Sequence, residues 1–231
     1  MTLSSTYTAC TLCEAAYTLA LTGSVTLPAG WAPAKPITAT YKGSKLLAND
    51  PWPIVGMETV DPDGQQWIVF RGTLDDTGDR VFLKEWISDA LALPMTQTAQ
   101  GGVHKGAWES YMEMYLSLVK IGIRPDAKIA AHSRGCWFAA YTSVGFQPAA
   151  LGMNLICIEG PKPGDARLAA NLSQSGWLVN HGDIVPSLPL NLNWVRPGTT
   201  TTVYGPAGDL KTAHALSSVV AGLDRLQEVA I

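Results

Sequence analysis

Apolar positions change their period several times along this 231-residue chain. From Tyr7 to Leu21 they return every three to four residues, which predicts a helix packed on the outside of the domain. The pattern then stops. Residues 22–53 are rich in Gly, Pro, Ala and Thr ("LPAGWAPAKPITATYKG"), and a connection that long inside a compact domain is expected to cover something, here as a wall of a site. "IVGMETV" and "QQWIVF" flank the turn residues "DPDG" and predict a two-stranded hairpin ending in "RGT". "VFLKEWISDALAL" predicts a short helix or an irregular segment. "HKGAWESYMEMYLSLVKIG" predicts a longer helix, with Trp108, Tyr111, Tyr115, Leu118 and Val119 at helical spacing.

The second half alternates more regularly. "AKIAA" reads as a buried strand, "RGCWFAAYTSVGF" as a helix and "MNLICIE" as a strand. "GDARLAANLS" is a helix, "GWLVN" a strand, and "DLKTAHALSSVVAGLDRLQEVA" a C-terminal helix beginning near Thr212. Strands alternating with helices pack as a mostly parallel central sheet with helices on both faces and right-handed crossovers, so the expected class is α/β. With 47% hydrophobic residues, the chain is long enough to bury a core as one domain, 1–231.

A net charge of -3 and the lack of any Lys/Arg-rich block argue against a nucleic-acid partner. The long uncharged stretch between Arg134 and Glu159 is broken by "GFQPAALG", so no integral membrane association is expected. Lys or Arg is absent before Lys35, which removes the charged opening of a secretory signal. The expected location is cytoplasmic by default, or extracellular if the sequence is a mature form. Cys10, Cys13, Cys136 and Cys157 are too few and too uneven for a disulfide-stapled fold. The Cys10-x-x-Cys13 spacing suits half a zinc site or a redox pair, but no second pair completes it. Core-facing thiols are the expectation.

Candidate chemistry centres on "AAHSRG". Ser133 lies between a predicted strand and a predicted helix, with Ala131 two residues before it and Gly135 two after, a variant of Gly-x-Ser-x-Gly. A tight turn there pushes the hydroxyl up at the strand's C-terminal end, where a nucleophile sits; the alternative is an ordinary helix N-cap serine. A nucleophilic serine needs a base and an acid that orients the base. In the chain order Ser, Asp, His, Asp183 in "NHGDIVPSLP" and His214 take the last two places. Asp183 has the alternative of stabilising its turn, and His214 that of sitting near a helix end. For an oxyanion hole the candidates are the backbone N–H groups of Arg134 and Thr73, although "RGT" also reads as a plain strand exit.

These segments together resemble the class 3 lipase family, the α/β-hydrolases related to fungal triacylglycerol lipases. "FRGT", "WISDAL", "VHKGAWESY", "AAHSRG", "IEGPKPGD", "NHGDIVPSLP" and "AHALSSVV" follow the family's order from about Phe70 to Val220, within a family-like region of about 54–226. The resemblance implies an α/β-hydrolase fold. It also implies Ser133 as nucleophile, Asp183 as acid, His214 as base, Thr73 and Arg134 as oxyanion donors, and a structural His104. Ala131, Arg134 and Cys136 depart from the family's Gly-His-Ser-Leu-Gly-Gly.

The implied activity is esterase or lipase chemistry through an acyl-enzyme, on a small-molecule or lipid ester, with no metal or organic cofactor expected. Between "FRGT" and "WISDAL" stands "LDDTGDRVFLKE", short and charged where a lipase carries an amphipathic lid. Short- to medium-chain esters are therefore favoured, with Trp31 and Trp52 as candidates either for an apolar wall or for plain core packing. Alternatives are a phospholipase, a carbohydrate-ester deacetylase or an amidase on the same scaffold, or a catalytically inactive binding or structural protein that keeps the fold.

Overall fold

The computed structural model describes residues 2–39, 53–74 and 95–229. The segment "VFLKEWISDALAL", nearly all of the charged interval before it, and Trp52 lie outside the described residues.

Helix α1 (Leu3–Thr22) begins at a capping box in which the Thr2 and Ser5 side chains satisfy each other's backbone N–H, and it ends at Gly23. Strands β1 (Lys35–Thr38), β2 (Ile54–Val60) and β3 (Gln66–Phe70) follow, then a small hairpin of β4 (Met95–Thr98) and β5 (Gly101–His104). The remaining elements are α2 (Lys105–Ile121), β6 (Lys128–His132), α3 (Gly135–Phe146), β7 (Leu155–Ile158), α4 (Ala166–Ala170), β8 (Gly176–Asn180), β9 (Thr199–Val203), α5 (Leu210–Ala213) and α6 (Leu216–Val229). The main sheet has the order β1-β2-β3-β6-β7-β8-β9. Its first three strands are antiparallel, and from β3 to β9 every pairing is parallel.

Strand periodicity divides the core. Ile68 and Phe70 of β3, with Ile129 and Ala131 of β6, face α2, α3 and α4, where Tyr111, Met114, Trp137, Phe138 and Leu168 are buried. Their neighbours Trp67, Val69 and Ala130 face α1 and α6, where Leu12, Cys13, Ala16, Val219 and Leu223 are buried. Because both faces are covered, β7 ("LICI") is apolar throughout. Trp67, Trp137 and Trp177 are fully buried, and truncating any one of them to alanine costs about 3–5 kcal/mol.

Several details differ from the sequence-based expectation. β1 lies inside the Gly/Pro-rich connection, and β4, β5 and β9 were not expected from the pattern. In α2 the buried positions are Ala107, Tyr111, Met114 and Leu118, while Tyr115 and Val119 are exposed, because the helix face is set by its contact with α3. The C-terminal helix is two helices, broken at His214 and Ala215. Trp31 packs on Trp67 with ring centroids 6.2 Å apart, near the start of β3 and so at the end of the sheet away from Ser133; it is not a wall of that site. The four cysteines are free and buried, as expected. No helix among the described residues is long and apolar enough to cross a membrane.

Candidate active site

The parallel strands bring their C-terminal ends to one edge of the sheet, and the polar residues of interest follow directly from four of those ends. Gly72 and Thr73 leave β3, Ser133 leaves β6, Glu159 leaves β7 and Asp183 leaves β8. His214 arrives at the same edge from the break between α5 and α6.

Ser133 occupies the turn between β6 and α3 with φ of 55°, a left-handed conformation that a non-glycine residue adopts at a cost of about 1–3 kcal/mol. Its N–H continues the sheet ladder to the Ile158 carbonyl at 2.8 Å, and its carbonyl accepts from Cys136 N at 3.0 Å. The turn therefore holds Ser133 from both sides, and its side chain does not cap the helix. Arg134 occupies the N-cap position of α3 and makes no side-chain cap, so the N-cap alternative for Ser133 fails. Such a turn needs small neighbours. A Cβ on Gly135 would lie 2.5 Å from the Arg71 carbonyl, and a Cβ on Gly72 would lie 2.6 Å from the Ser133 Cβ.

Three side chains form a continuous hydrogen-bonded row. Ser133 Oγ is 2.7 Å from His214 Nε2, and His214 Nδ1 is 2.6 Å from Asp183 Oδ2. An ionised carboxylate only accepts, so Nδ1–H donates to Asp183 and Nε2 accepts from the serine hydroxyl. All three residues are buried. Burial works to raise the Asp183 carboxyl, but hydrogen bonds from His214 and Glu159 outweigh it and hold Asp183 below its ordinary range. Asp183 Oδ1 also accepts from Val185 N at 3.0 Å, which orients the second oxygen toward the histidine. Among the described residues, Glu159, Asp183 and His214 also place donor atoms within 4.8 Å of one another, close enough to surround a metal ion. The short Nδ1–H to Oδ2 bond already occupies the direction a metal would use, so the cluster suits proton transfer better.

Buried polar residues fix this row in place. Asn180, at the end of β8, donates through Nδ2 to the carbonyls of Ala213 at 2.9 Å and Pro206 at 3.0 Å, and accepts from Gly205 N at 2.8 Å. It thereby ties the segment carrying His214 to the strand carrying Asp183. His132 points away from the row, as expected from its place in the turn. Its Nε2 donates to the His214 carbonyl at 3.1 Å, which leaves Nδ1 to accept from the Tyr17 hydroxyl at 2.8 Å. Tyr17 in turn accepts from Gly72 N at 2.8 Å. A single relay, Gly72 to Tyr17 to His132 to His214, thus links the loop after β3 with the backbone of the histidine. Burial and the adjacent His214 ring push His132 down to about 3, so it stays neutral.

Thr73 sits next to Gly72, which packs against Ser133. Its hydroxyl is buried and without a hydrogen-bond partner among the described residues. Arg134 is buried, with its guanidinium carbon 5.9 Å from the Phe138 ring centroid, so it is not an exposed cation beside the serine. His104 accepts from Ala107 N at 3.2 Å through Nδ1 and stacks on Trp137 at 4.4 Å; it caps α2, away from the row. His181 stacks on Tyr204. The contributions of Tyr17, Asn180 and Glu159 were missed from sequence. A polar residue closing an otherwise apolar strand was the one available signal for Asn180, and nothing local marks Tyr17.

No family model and no curated protein sequence matches the chain. Solved structures do match. The Rhizomucor miehei lipase in its propeptide complex superposes with a TM-score of 0.59 at 20% identity, over 94% of this chain and 77% of that one. The Yarrowia lipolytica LIP2 lipase gives 0.62 at 17% identity, over 85% and 78%. The lipase of Rhizopus microsporus var. chinensis gives 0.59 at 18% identity, over 93% and 80%. At such identities the likeness is one of fold, and the fold is that of the α/β-hydrolases, as the sequence resemblance implied.

Proposed function

We propose that this protein is a serine hydrolase that cleaves carboxylic esters through an acyl-enzyme. The observation that carries this reading is the unbroken row from Ser133 Oγ to His214 to Asp183, at 2.7 and 2.6 Å. Ser133 at a left-handed strand-to-helix turn supports it, since strain held at such a turn places a hydroxyl at the C-terminal edge of the sheet, turned toward its base.

In the proposed reaction His214 takes the Ser133 proton as the oxygen attacks the ester carbonyl. Asp183 holds the imidazole in the tautomer with Nδ1 protonated and stabilises the cation that forms. The backbone N–H groups of Thr73 and Arg134 receive the oxyanion, and the Thr73 hydroxyl, without a partner among the described residues, is a further donor. The His214 imidazolium protonates the leaving alcohol. Water activated by the same ring then releases the acid. This sequence requires no metal or organic cofactor.

Short- to medium-chain esters are the proposed substrates. The interval "LDDTGDRVFLKE" supports this, since its sequence is short and strongly charged where a lid that opens on lipid is amphipathic. The test is a panel of p-nitrophenyl esters of increasing acyl length, run beside phospholipid and acetylated sugar. Highest kcat/KM on soluble short and medium esters is expected. Hydrolysis only of long chains above their aggregation point would reverse the substrate assignment, and preference for phospholipid or acetylated sugar would move it to one of those classes.

A further inference from the structure

Glu159 is out of place by every local criterion. It is fully buried, it is an acid, and it holds a φ of 53° although it is not glycine. A chain that needed only the turn after β7 would place glycine there. One carboxyl oxygen, Oε1, accepts from the Asn180 N–H. The other, Oε2, is buried and receives no hydrogen bond from an N–H or hydroxyl donor among the described residues. The Asp183 carboxyl is its neighbour: the two residues place carboxylate oxygens within 4.8 Å of each other in one buried cluster.

Two buried carboxyls this close do not both carry a charge, which leaves one proton for the pair. Asp183 has His214 and Val185 N–H as donors, which favours the charge on Asp183 and the proton on Glu159. The surroundings of Glu159 agree. Asp183 faces it from the loop after β8, the Cys136 thiol from α3 and the Cys10 thiol from α1. Arg196, from the loop before β9, is the facing cation; its Nη2 donates to the Pro186 carbonyl, and its Nε has no hydrogen-bond partner among the described residues. Burial first, and then the contact with Asp183, push the Glu159 carboxyl up to about 11.

We infer that Glu159 is a positioning residue for the Ser133–His214–Asp183 row: its protonated carboxyl donates to the Asp183 carboxylate and fixes the oxygen that faces His214. The pair carries one negative charge, shared behind the histidine, and Asp183 gains a third donor that water cannot displace. This role rests on the hydrolase reading; the location of the proton does not.

The experiment compares wild type, Glu159→Gln and Glu159→Leu. Glutamine keeps a donor toward Asp183 and an acceptor for Asn180 N–H but carries no titrating proton. Leucine keeps the bulk and removes the donor. In urea titrations between about pH 5 and pH 8, the ratio of the wild-type unfolding constant to that of Glu159→Gln should rise about tenfold per pH unit. Folding the wild type requires uptake of a proton that the unfolded glutamate has lost, and the variant has no such requirement. A ratio that does not change with pH overturns the proton placement.

In ester hydrolysis, Glu159→Leu should lower kcat by about ten- to a hundredfold, the worth of one hydrogen bond to a charged group, with KM little changed. Glu159→Gln should recover most of that loss. Full kcat in Glu159→Leu overturns the positioning role. If the stability ratio follows pH as expected but wild type cleaves no ester, the shared proton stands and the hydrolase reading falls.

Discussion

Replacing Tyr17 by phenylalanine tests whether the loop after β3 is held by a helix at the other end of the chain. The phenol is the middle of the relay, accepting from Gly72 N at 2.8 Å and donating to His132 Nδ1 at 2.8 Å. Phenylalanine keeps the ring against the core and removes only the oxygen. Two groups of buried residues then lose their partners, the Gly72 N–H and the His132 Nδ1. A buried polar group left unsatisfied costs about 1–3 kcal/mol, so the two together cost about 2–6 kcal/mol. The same oxygen fixes the backbone that carries Thr73, so kcat should fall by up to about a hundredfold, the lower range found when one oxyanion donor is lost. KM should change less, because the relay touches the serine's surroundings rather than the body of the substrate. Urea titration gives the first quantity and steady-state hydrolysis of a soluble p-nitrophenyl ester the second. A Tyr17→Phe variant as stable and as active as wild type would refute the relay as a structural link.

The remaining expectations concern the turn, the row and acid pH. Ser133→Ala and His214→Ala should each lower kcat/KM by about 10⁴- to 10⁶-fold; the urea midpoint should stay close to wild type in Ser133→Ala and fall in His214→Ala, which strips the buried Asp183 carboxylate of a donor. Gly135→Ala should cost about 1–3 kcal/mol, since its Cβ would lie 2.5 Å from the Arg71 carbonyl, and the activity loss should exceed the share of molecules unfolded. His132 is pushed down in the fold to about 3 from an ordinary 6.5, so between these values the unfolded chain binds the extra proton. The His132 contribution to stability should therefore be complete above about pH 6.5 and fall by about 1.4 kcal/mol per unit as pH drops toward 3, a contribution read as the difference between wild type and His132→Gln in urea titrations.

How much of this was legible in sequence follows from what each residue depends on. The βαβ alternation and the Ser133 turn rest on local patterns, apolar runs and small flanking residues, and both stand as expected. Asp183 and His214 were reachable because chain order and strand ends are one-dimensional facts, and the 2.7 and 2.6 Å contacts agree with them. β9 was not legible because "TTTTV" has an exposed, polar pattern and pairs only along its edge with β8. β1 was hidden in a Pro-rich stretch, its place fixed by pairing with β2. Tyr17 acts across 55 positions on Gly72 and across 115 on His132, distances no periodicity carries. Trp31 was left open in sequence because its aromatic bulk is equally suited to a pocket wall and to core packing, and it packs on Trp67.

The central claim is that Ser133 is an activated nucleophile. The most direct measurement is the mass of the folded protein and of its peptides after exposure to a fluorophosphonate. The account predicts one covalent adduct per chain, on the peptide bearing Ser133, absent in Ser133→Ala and formed far more slowly in His214→Ala. A folded protein that remains unlabelled, or that is labelled equally well without the Ser133 hydroxyl, would contradict it.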